Sequence, residues 1–202
     1  MKIVDLFSGL GGASQAFADD PAWGLLRIEN NPLLGNVEGT RIMDIFEFRD
    51  WLLEQKNRYG DFDVDVVWAS PPCTEFSLAF NAPRSIAIRE GRGDEYQPYM
   101  GFLEVALECI EIINPRYWII ENVRGAVNYF AEYMGQPHQI LGSYFLWGNF
   151  PKIMPDDLPT KASKENGPRW LRANRRALIP LELSQALKDA IENQRSIFDY
   201  ND

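Results

Sequence analysis

The chain contains little histidine and cysteine, the residues that anchor zinc-type sites or cross-link a fold: one histidine and two cysteines, Cys73 and Cys109, among 202 residues. Two cysteines cannot build a disulfide framework, and one histidine cannot anchor a histidine-rich metal site. We therefore expect no metal. No apolar run approaches the roughly 18 residues that span a bilayer, and Asp5 interrupts the first apolar stretch before a signal peptide can develop. We expect a cytoplasmic protein without membrane contact.

Positive charge is also scarce, because 20 Lys and Arg residues stand against 29 Asp and Glu residues, a formal charge of −9. This balance disfavours nonspecific nucleic-acid binding by the whole surface, since phosphate attraction needs cations that face the backbone. Basic residues are concentrated in residues 161–176, where six of them accompany a single acidic residue, Glu165. With Trp170, this segment has the composition of a local phosphate-contacting strip. A solvated loop and helix start would have the same composition.

Apolar and charged fractions of 46% and 24% are those of an ordinary globular domain, and we expect residues 1–202 to form one domain. Short apolar runs alternate with segments of helical spacing, which predicts an α/β fold with a parallel sheet and helices on both faces. Ligands gather at the carboxyl ends of the strands in such sheets. We expect strands at residues 2–7, 23–28, 40–45, 64–69, 117–120 and 144–147, helices at 46–59, 101–113 and 181–191, and a loop or lid at 74–98.

The first predicted strand ends in a glycine turn, Ser8-Gly9-Leu10-Gly11-Gly12. Glycine lets the backbone turn sharply and approach a ligand without a Cβ atom in the way. Glu29 follows Gly9 by 20 residues, at the end of the next predicted strand, where a carboxylate can accept both ribose hydroxyls of a nucleoside. The two features favour a nucleoside pocket, although tight turns and one exposed glutamate would give the same pattern.

Two further polar motifs follow predicted strands. Ser70-Pro71-Pro72-Cys73 holds a thiol in a turn that its prolines stiffen, and Glu121-Asn122-Val123 ends a later strand. The alternatives are a buried structural thiol for Cys73 and a helix-capping or surface carboxylate for Glu121. Cys109 fits the apolar pattern of a helix, so we interpret it as a core residue.

In order and approximate spacing, these motifs resemble the core of the cytosine-5 DNA methyltransferases. Residues 5–12 look like the family's first cofactor motif, Cys73 like its catalytic cysteine, and Glu121 like its catalytic glutamate. The resemblance covers roughly residues 1–150 and resumes at 176–191, and residues 142–151 look most like compact phage-encoded members. It implies a Rossmann-like class I methyltransferase fold, S-adenosyl-L-methionine as cofactor, and double-stranded DNA as partner.

The resemblance also implies which residues hold the cofactor. Phe7 would lie against the adenine, Glu29 would hold the ribose, and Asp44, in the run Met43-Asp44-Ile45, would bind the adenine amino group. The methionine part would contact the backbone of three glycines, Gly9, Gly11 and Gly12.

The implied chemistry is covalent catalysis. The Cys73 thiolate would add to C6 of cytosine, so that C5 can take a methyl group, while Glu121 would share a proton with N3. Loss of the C5 proton would then expel the sulfur. The base would have to leave the duplex, with the lid at residues 74–98 closing over it. Substrate contacts are expected from five residues, Ser77, Asn122, Arg124, Arg84 and Arg172, and the lid also carries Arg89 and Arg92.

The sequence departs from the family pattern in two places. The usual Gln-x-Arg-x-Arg motif is represented by residues 139–143, Gln-Ile-Leu-Gly-Ser, which contain neither arginine, and Arg124 is a candidate substitute. A short, irregular, basic segment at residues 151–176 stands in place of a target-recognition lobe, so base readout should be minimal or supplied by a second chain.

Three alternatives stay open. The chain could methylate RNA or a free nucleotide by the same chemistry. It could be a noncatalytic cofactor-binding subunit derived from the family, although the presence of both Cys73 and Glu121 speaks against this interpretation. A nicotinamide-binding Rossmann protein would explain the glycine turn and Glu29, but neither of the two other motifs.

Overall fold

The structure is a computed structural model that describes residues 1–158 and 171–198 and is built around one sheet of seven strands. The strands are β1 (Lys2–Leu6), β2 (Gly24–Glu29), β3 (Thr40–Ile42), β4 (Val66–Ala69), β5 (Tyr117–Asn122), β6 (Gln139–Leu141) and β7 (Tyr144–Asn149). The α-helices of the described residues are α1 (Gln15–Ala18), α2 (Ile45–Tyr59), α3 (Pro83–Arg89), α4 (Gly101–Ile113), α5 (Val127–Met134), α6 (Arg172–Arg176) and α7 (Leu181–Phe198).

The strand order is β3-β2-β1-β4-β5-β7-β6. Strands β1 to β5 run parallel, whereas β7 pairs antiparallel with both β5 and β6. The predicted parallel sheet is confirmed, with an antiparallel hairpin added at one edge. The chain order reverses between β1 and β4, and ligands of such sheets bind at this point, outside the carboxyl ends of the strands.

Helices cover both faces of the sheet. On one face α2 and α4 pack over apolar side chains such as Val4, Val67 and Ile120. On the other face α1 and α7 pack over Ile3 and Ile119. Neighbouring strand residues enter opposite cores because side chains alternate along a strand. The expected α/β architecture with helices on both faces is therefore confirmed.

Local signals explain where the long helices begin and end. Asp44 caps α2, since its carboxylate accepts the backbone N–H of Phe46 at 2.9 Å. Gly60 ends that helix with a φ of 87°, a conformation that glycine adopts without steric cost. Asn114 ends α4 in the left-handed conformation, and Pro115 cannot continue the helix.

The loop or lid expected at residues 74–98 is partly helical. This segment contains α3 as well as parts of two short 3-10 helices, Cys73–Glu75 and Gly93–Glu95. Pro83 occupies the first helical position, where its missing N–H costs nothing, and Ser85 and Ala87 are buried. A helix of seven residues is too short to show clear periodicity among arginines and glycines. We keep the name lid for residues 74–98.

The basic segment is described only in part. Residues 159–170 lie outside the described residues, among them Lys161, Lys164, Glu165, Arg169 and Trp170. The predicted irregular segment at residues 151–176 was wrong at its end, because α6 begins at Arg172, which is exposed. Within the described ranges, no helix is both long and apolar enough to cross a membrane.

Candidate active site

The chain leaves β1 through the glycine turn, in which three residues have positive φ angles: Phe7 (59°), Gly9 (55°) and Gly11 (77°). The N–H of Gly11 donates to Ser8 O at 2.8 Å, and the N–H of Ser8 donates to Ile28 O of β2 at 3.1 Å. A positive φ costs a residue with a Cβ atom about 1–2 kcal/mol, so the turn strains Phe7. The turn lies at the carboxyl end of β1, beside β2.

Glu29 lies next to this turn, at the end of β2, and is 8% exposed. One carboxylate oxygen accepts the N–H of Gly9 at 2.9 Å, and the other accepts the N–H of Asn31 at 2.8 Å. Two backbone donors therefore fix the orientation of the carboxylate. The spacing of 20 residues between Gly9 and Glu29 does bring them together, while a role in ribose binding stays a prediction.

A buried polar network that the sequence did not indicate lies beneath the turn. The Ser14 hydroxyl donates to the Asp5 carboxylate at 2.6 Å and accepts the Nε–H of Arg27 at 2.8 Å. Asp5 and Arg27 are each 1% exposed. Burial raises the pKa of Asp5 to about 7, against the opposing effects of Ser14 and the Arg27 charge, and the Glu29 charge raises it further.

The C-terminal segment returns to the same turn. A Cβ atom on Gly12 would lie 2.2 Å from Ile179 O, so these two backbones are in close contact. The Ser184 hydroxyl of α7 donates to Ala13 O at 2.8 Å and accepts the N–H of Ala16 at 3.1 Å. Helix α7 therefore packs against the segment that follows the glycine turn and stabilises the turn.

Four aromatic side chains, Phe7, Phe46, Tyr99 and Phe102, form an aromatic wall beside the carboxyl ends of β1 and β3. The Phe102 ring lies 6.0 Å from Phe7, 6.1 Å from Phe46 and 5.3 Å from Tyr99, measured between ring centres. Asp44 is the residue before α2, two positions from Phe46, and caps that helix. Apolar rings beside a carboxylate form a surface suited to a purine with an amino group. The sequence motifs indicate Phe7 and Asp44 but not Phe46 and Phe102.

Cys73 opens a short 3-10 helix directly after Pro72 and is partly exposed. Its carbonyl accepts the N–H groups of Phe76 at 3.1 Å and Ser77 at 3.0 Å, which fix the turn. Cys109 is fully buried in α4, as expected of a core residue, and burial raises the pKa of its thiol to about 12. Of the two thiols, Cys73 is the one that a substrate can reach.

Glu121 lies at the same edge of the sheet. The register pairs Ala69 of β4 with Ile120 of β5, so Glu121 stands one residue beyond the last paired position, and it is 9% exposed. The next residue, Asn122, donates from its side chain to Pro71 O at 2.9 Å. This bond ties the end of β5 to the turn that carries Cys73.

The two turns also touch directly. A Cβ atom on Gly125 would lie 1.9 Å from Phe76 O, so the backbone after Glu121 packs against the backbone after Cys73. The Phe76 ring packs edge-on against Phe130 of α5, with centres 5.1 Å apart. Cys73 in its turn and Glu121 at the end of β5 therefore lie at one edge of the sheet, where the turn after Glu121 packs against the turn with Cys73. No sequence motif indicates this role for Gly125.

The lid arginines contact the protein itself. Arg84 donates to Gly125 O at 3.2 Å, and its guanidinium carbon lies 5.6 Å from the centre of the Tyr129 ring. Arg89 donates to Phe80 O at 2.6 Å and lies over the Phe80 ring.

Arg92 pairs with the Glu90 carboxylate. Since each of these three lid arginines has an intramolecular partner, phosphate contact by Arg84 stays a prediction that requires a change of partner.

The other residues expected to contact the substrate differ from the lid arginines in their exposure and in their hydrogen-bond partners. Arg124 and Arg172 are exposed, and neither side chain has a hydrogen-bond or ion-pair partner among residues 1–158 and 171–198. The Ser77 hydroxyl accepts the N–H of Ala79 at 3.1 Å. Gln139, the remnant of the arginine-containing motif, donates to Ile153 O at 2.5 Å and accepts its N–H at 3.0 Å, so both ends of its amide hold the chain after β7.

The mostly parallel sheet, the helices on both faces and the glycine turn at the carboxyl edge define a Rossmann-like class I methyltransferase fold. Residues 1–134 match the family model of the C-5 cytosine-specific DNA methylases. The chain belongs to this family.

Two curated relatives agree with this assignment. The "Probable DNA (cytosine-5)-methyltransferase" of Frog virus 3 (isolate Goorha) is 29% identical over 154 residues, covering 73% of this chain and 66% of the relative. The type II methyltransferase M.AquIA of Picosynechococcus sp. is 26% identical over 140 residues, covering 63% and 50%. The chain thus spans from half to about two thirds of the length of these relatives.

Among solved structures, that of the Entamoeba histolytica methyltransferase EhMeth aligns with 62% of this chain and 38% of its own, at 17% identity and a TM-score of 0.39.

Proposed function

We propose that the chain methylates C5 of cytosine in DNA, with S-adenosyl-L-methionine as cofactor and a covalent bond between Cys73 and C6 of the base. The observation that carries the proposal is the packing of the turn with Cys73 against the turn that follows Glu121. The Asn122–Pro71 hydrogen bond of 2.9 Å and the contact between Gly125 and Phe76 hold a reachable thiol and a largely buried carboxyl at one edge of the sheet. Covalent catalysis needs a nucleophile and an acid fixed relative to each other.

The residues present fit the proposed cofactor. The glycine turn brings backbone close to a ligand, Glu29 is held rigidly for ribose hydroxyls, and the aromatic wall with Asp44 suits adenine. When bound, S-adenosyl-L-methionine supplies an electrophilic methyl group on a sulfonium sulfur.

The chain's own residues would then act on the base. The Cys73 thiolate forms a bond to C6, and the displaced electron pair makes C5 nucleophilic while Glu121 provides a proton at N3. The nucleophilic C5 would then take the methyl group that the bound cofactor supplies from its sulfonium, which would leave as a neutral thioether. The C5 proton passes to solvent, Sγ leaves C6, and the N3 proton returns to Glu121, so that the ring and the enzyme are both restored.

A cytosine inside a duplex exposes neither C5 nor C6 to this attack, so the proposal includes extrusion of the base beneath the lid. Arg124 and Arg172 are offered as phosphate contacts because both are exposed. The net charge of −9 and the internal contacts of the lid arginines support the involvement of a further DNA-binding component. Sequence recognition in double-stranded DNA would come from a second chain or from polypeptide beyond the span shared with the relatives.

The net charge of −9 also supports a second candidate, an RNA or nucleotide substrate. Oligonucleotides that contain 5-fluorocytosine separate the two, because fluorine at C5 blocks the final elimination and traps the adduct. Randomised pools of duplex DNA, single-stranded DNA and RNA are incubated with protein and S-adenosyl-L-methionine, and the adduct is measured by denaturing electrophoresis and mass spectrometry.

We expect an adduct at Cys73 with duplex DNA, lost in Cys73→Ser and kept in Cys109→Ala, the matched control for the second thiol. An adduct with RNA alone would move the proposal to the second candidate. If the protein binds cofactor but forms no adduct with any pool, the noncatalytic alternative holds instead.

A further inference from the structure

We propose that Arg27, Ser14 and Asp5 form a positioning unit that sets the glycine turn for cofactor binding, and that Gly11 is glycine to make room for Arg27. The inference rests on the proposed function in one respect, the identity of the cofactor. Arg27 and Ser14 were not among the expected site residues, and Gly11 had been expected to contact the methionine part directly.

Arg27 joins three separate segments of the chain. From β2, its guanidinium donates to Gly11 O at 3.0 Å in the glycine turn and to Ser14 Oγ at 2.8 Å. It also donates to Glu38 O at 2.6 Å in the connection between β2 and β3. A planar guanidinium can satisfy acceptors in several directions at once, which a lysine ammonium on a flexible stem does poorly.

Burial of the Arg27 guanidinium costs free energy, whereas burial of an ordinary apolar core side chain does not. Desolvation of a guanidinium costs several kcal/mol unless an opposite charge and complete hydrogen bonding offset it. Asp5 is the opposite charge, and it reaches Arg27 through Ser14, whose hydroxyl donates to one and accepts from the other. An apolar side chain would fill the same space without this cost, so packing alone does not account for Arg27, and its role is assigned to the groups that it orients.

What Arg27 orients is the peptide between Gly11 and Gly12. The carbonyl and the N–H of a trans peptide point in opposite directions. Because Arg27 and the N–H of Ser14, at 3.2 Å, both hold Gly11 O, the N–H of Gly12 is turned away from Arg27. The unit thereby fixes the direction of one backbone donor in the turn.

Gly11 fits this role in two ways. Its φ of 77° is in the left-handed region, and a Cβ atom there would lie 2.6 Å from Arg27 Cζ and 2.7 Å from its Nε. A side chain at position 11 would therefore push Arg27 out of place.

Arg27 and Glu29 also point the same way, because residues two apart on a strand share a face. Glu29 holds the N–H of Gly9 while Arg27 holds the carbonyl of Gly11, so one strand fixes both ends of the turn.

The test measures cofactor binding by calorimetry on the whole chain, with S-adenosylhomocysteine and S-adenosyl-L-methionine as probes. Arg27→Lys and Arg27→Met should each weaken binding by at least tenfold. The matched control is Arg49, which pairs with Asp50 and Glu108 away from the turn. Arg49→Lys and Arg49→Met should leave the dissociation constant within twofold of wild type.

A double-mutant cycle gives a readout that a merely structural role would not move. If Gly11 makes room for Arg27, Gly11→Ala should weaken binding strongly in wild type and far less in an Arg27→Ala background. If Gly11 contacts the cofactor itself, the two losses should add, and the inference is then overturned.

Wild-type affinity in both Arg27→Lys and Arg27→Met would overturn the inference while leaving the proposed function intact. Absence of binding to the wild-type protein would overturn both. Should Arg27→Met fail to fold by circular dichroism, Arg27→Lys and Ser14→Ala carry the test, since both keep nearly the native volume, and wild-type affinity in that pair counts against the inference.

Discussion

The close contact between Gly125 and Phe76 allows a sharp test of how the two turns are held. In Gly125→Ala the added Cβ atom would lie 1.9 Å from Phe76 O and 3.0 Å from Phe76 C. Contacts of Cβ atoms are essentially never shorter than about 3 Å, so the turns must separate by roughly 1 Å. Both partners are backbone, and the Phe76 ring is enclosed between Tyr129 and Phe130, so neither turn can move alone.

Overpacking of this kind costs about 1–3 kcal/mol, and a contact between two backbones belongs at the upper end, about 2–3 kcal/mol. For a domain of this size each kcal/mol lowers the melting temperature by about 2–4 °C. We therefore expect Gly125→Ala to melt about 4–12 °C below wild type in a circular dichroism scan. Adduct formation by Cys73 should fall at least tenfold, because the separation moves it relative to Glu121. Affinity for S-adenosylhomocysteine should stay within threefold.

Gly35→Ala is the matched control. Its added Cβ atom would meet Ile42 at 3.4 Å, an ordinary contact, and Gly35 has a helical φ of −62° that alanine adopts readily. Its melting temperature should stay within about 2 °C of wild type. The reasoning fails if Gly125→Ala melts no lower than Gly35→Ala, or if it melts lower while forming the adduct at the wild-type rate.

Three further predictions follow from buried or exposed charges. Burial raises the pKa of Asp5 to about 7 from 3.8. The Asp5 side chain therefore makes its full stabilising contribution to the unfolding free energy below pH 3.8, and this contribution is lost as the pH rises through 7. As the pH rises, the unfolding free energy of Asp5→Asn should therefore increase relative to that of wild type, by roughly 1.4 kcal/mol per pH unit in urea titrations at pH 5, 6 and 7. A difference in unfolding free energy that stays constant with pH would contradict this prediction. Arg124→Ala should reduce the slope of log affinity for duplex DNA against log salt by about 0.9, whereas Arg84→Ala should leave it unchanged, and equal slopes for both variants would refute the assignment. Asp44→Ala should lower the unfolding free energy by about 1 kcal/mol through loss of the α2 cap, and saturating S-adenosylhomocysteine should widen that gap if Asp44 also binds adenine.

The sequence predicted the elements whose signals are local. Apolar runs and helical spacing located β1, β2, β4 and α4 to within two residues at either end. The ends of parallel strands meet at one edge, so the glycine turn, Glu29, Cys73 and Glu121 could be expected together from the order of the motifs along the chain. The 20-residue interval between Gly9 and Glu29 predicted that the two lie close together, and the Glu29 carboxylate accepts the N–H of Gly9 in the structure.

What could not be predicted depends on contacts between distant segments. A charged residue inside a strand, such as Arg27, is expected to face solvent, and its burial is made tolerable by the partners at positions 11, 14 and 38 together with the Asp5 charge. Gly125 looks like any loop glycine until the backbone of Phe76 is seen against it. Strand β6 has three residues, too few for an alternating pattern.

The distribution of cations constrains how nucleic acid can approach this fold. Counterion release requires basic groups that face phosphates, and each such contact contributes about 0.9 to the salt slope. Arg89 and Arg92 contact other lid residues and Arg84 contacts Gly125, so turning these arginines towards phosphate would cost the contacts they now make. Arg124 is exposed three residues after Glu121, at the edge where a base would enter. A chain of net charge −9 should bind duplex DNA weakly by itself, and a basic second polypeptide that strengthens binding should steepen the salt slope by about 0.9 for each phosphate it contacts.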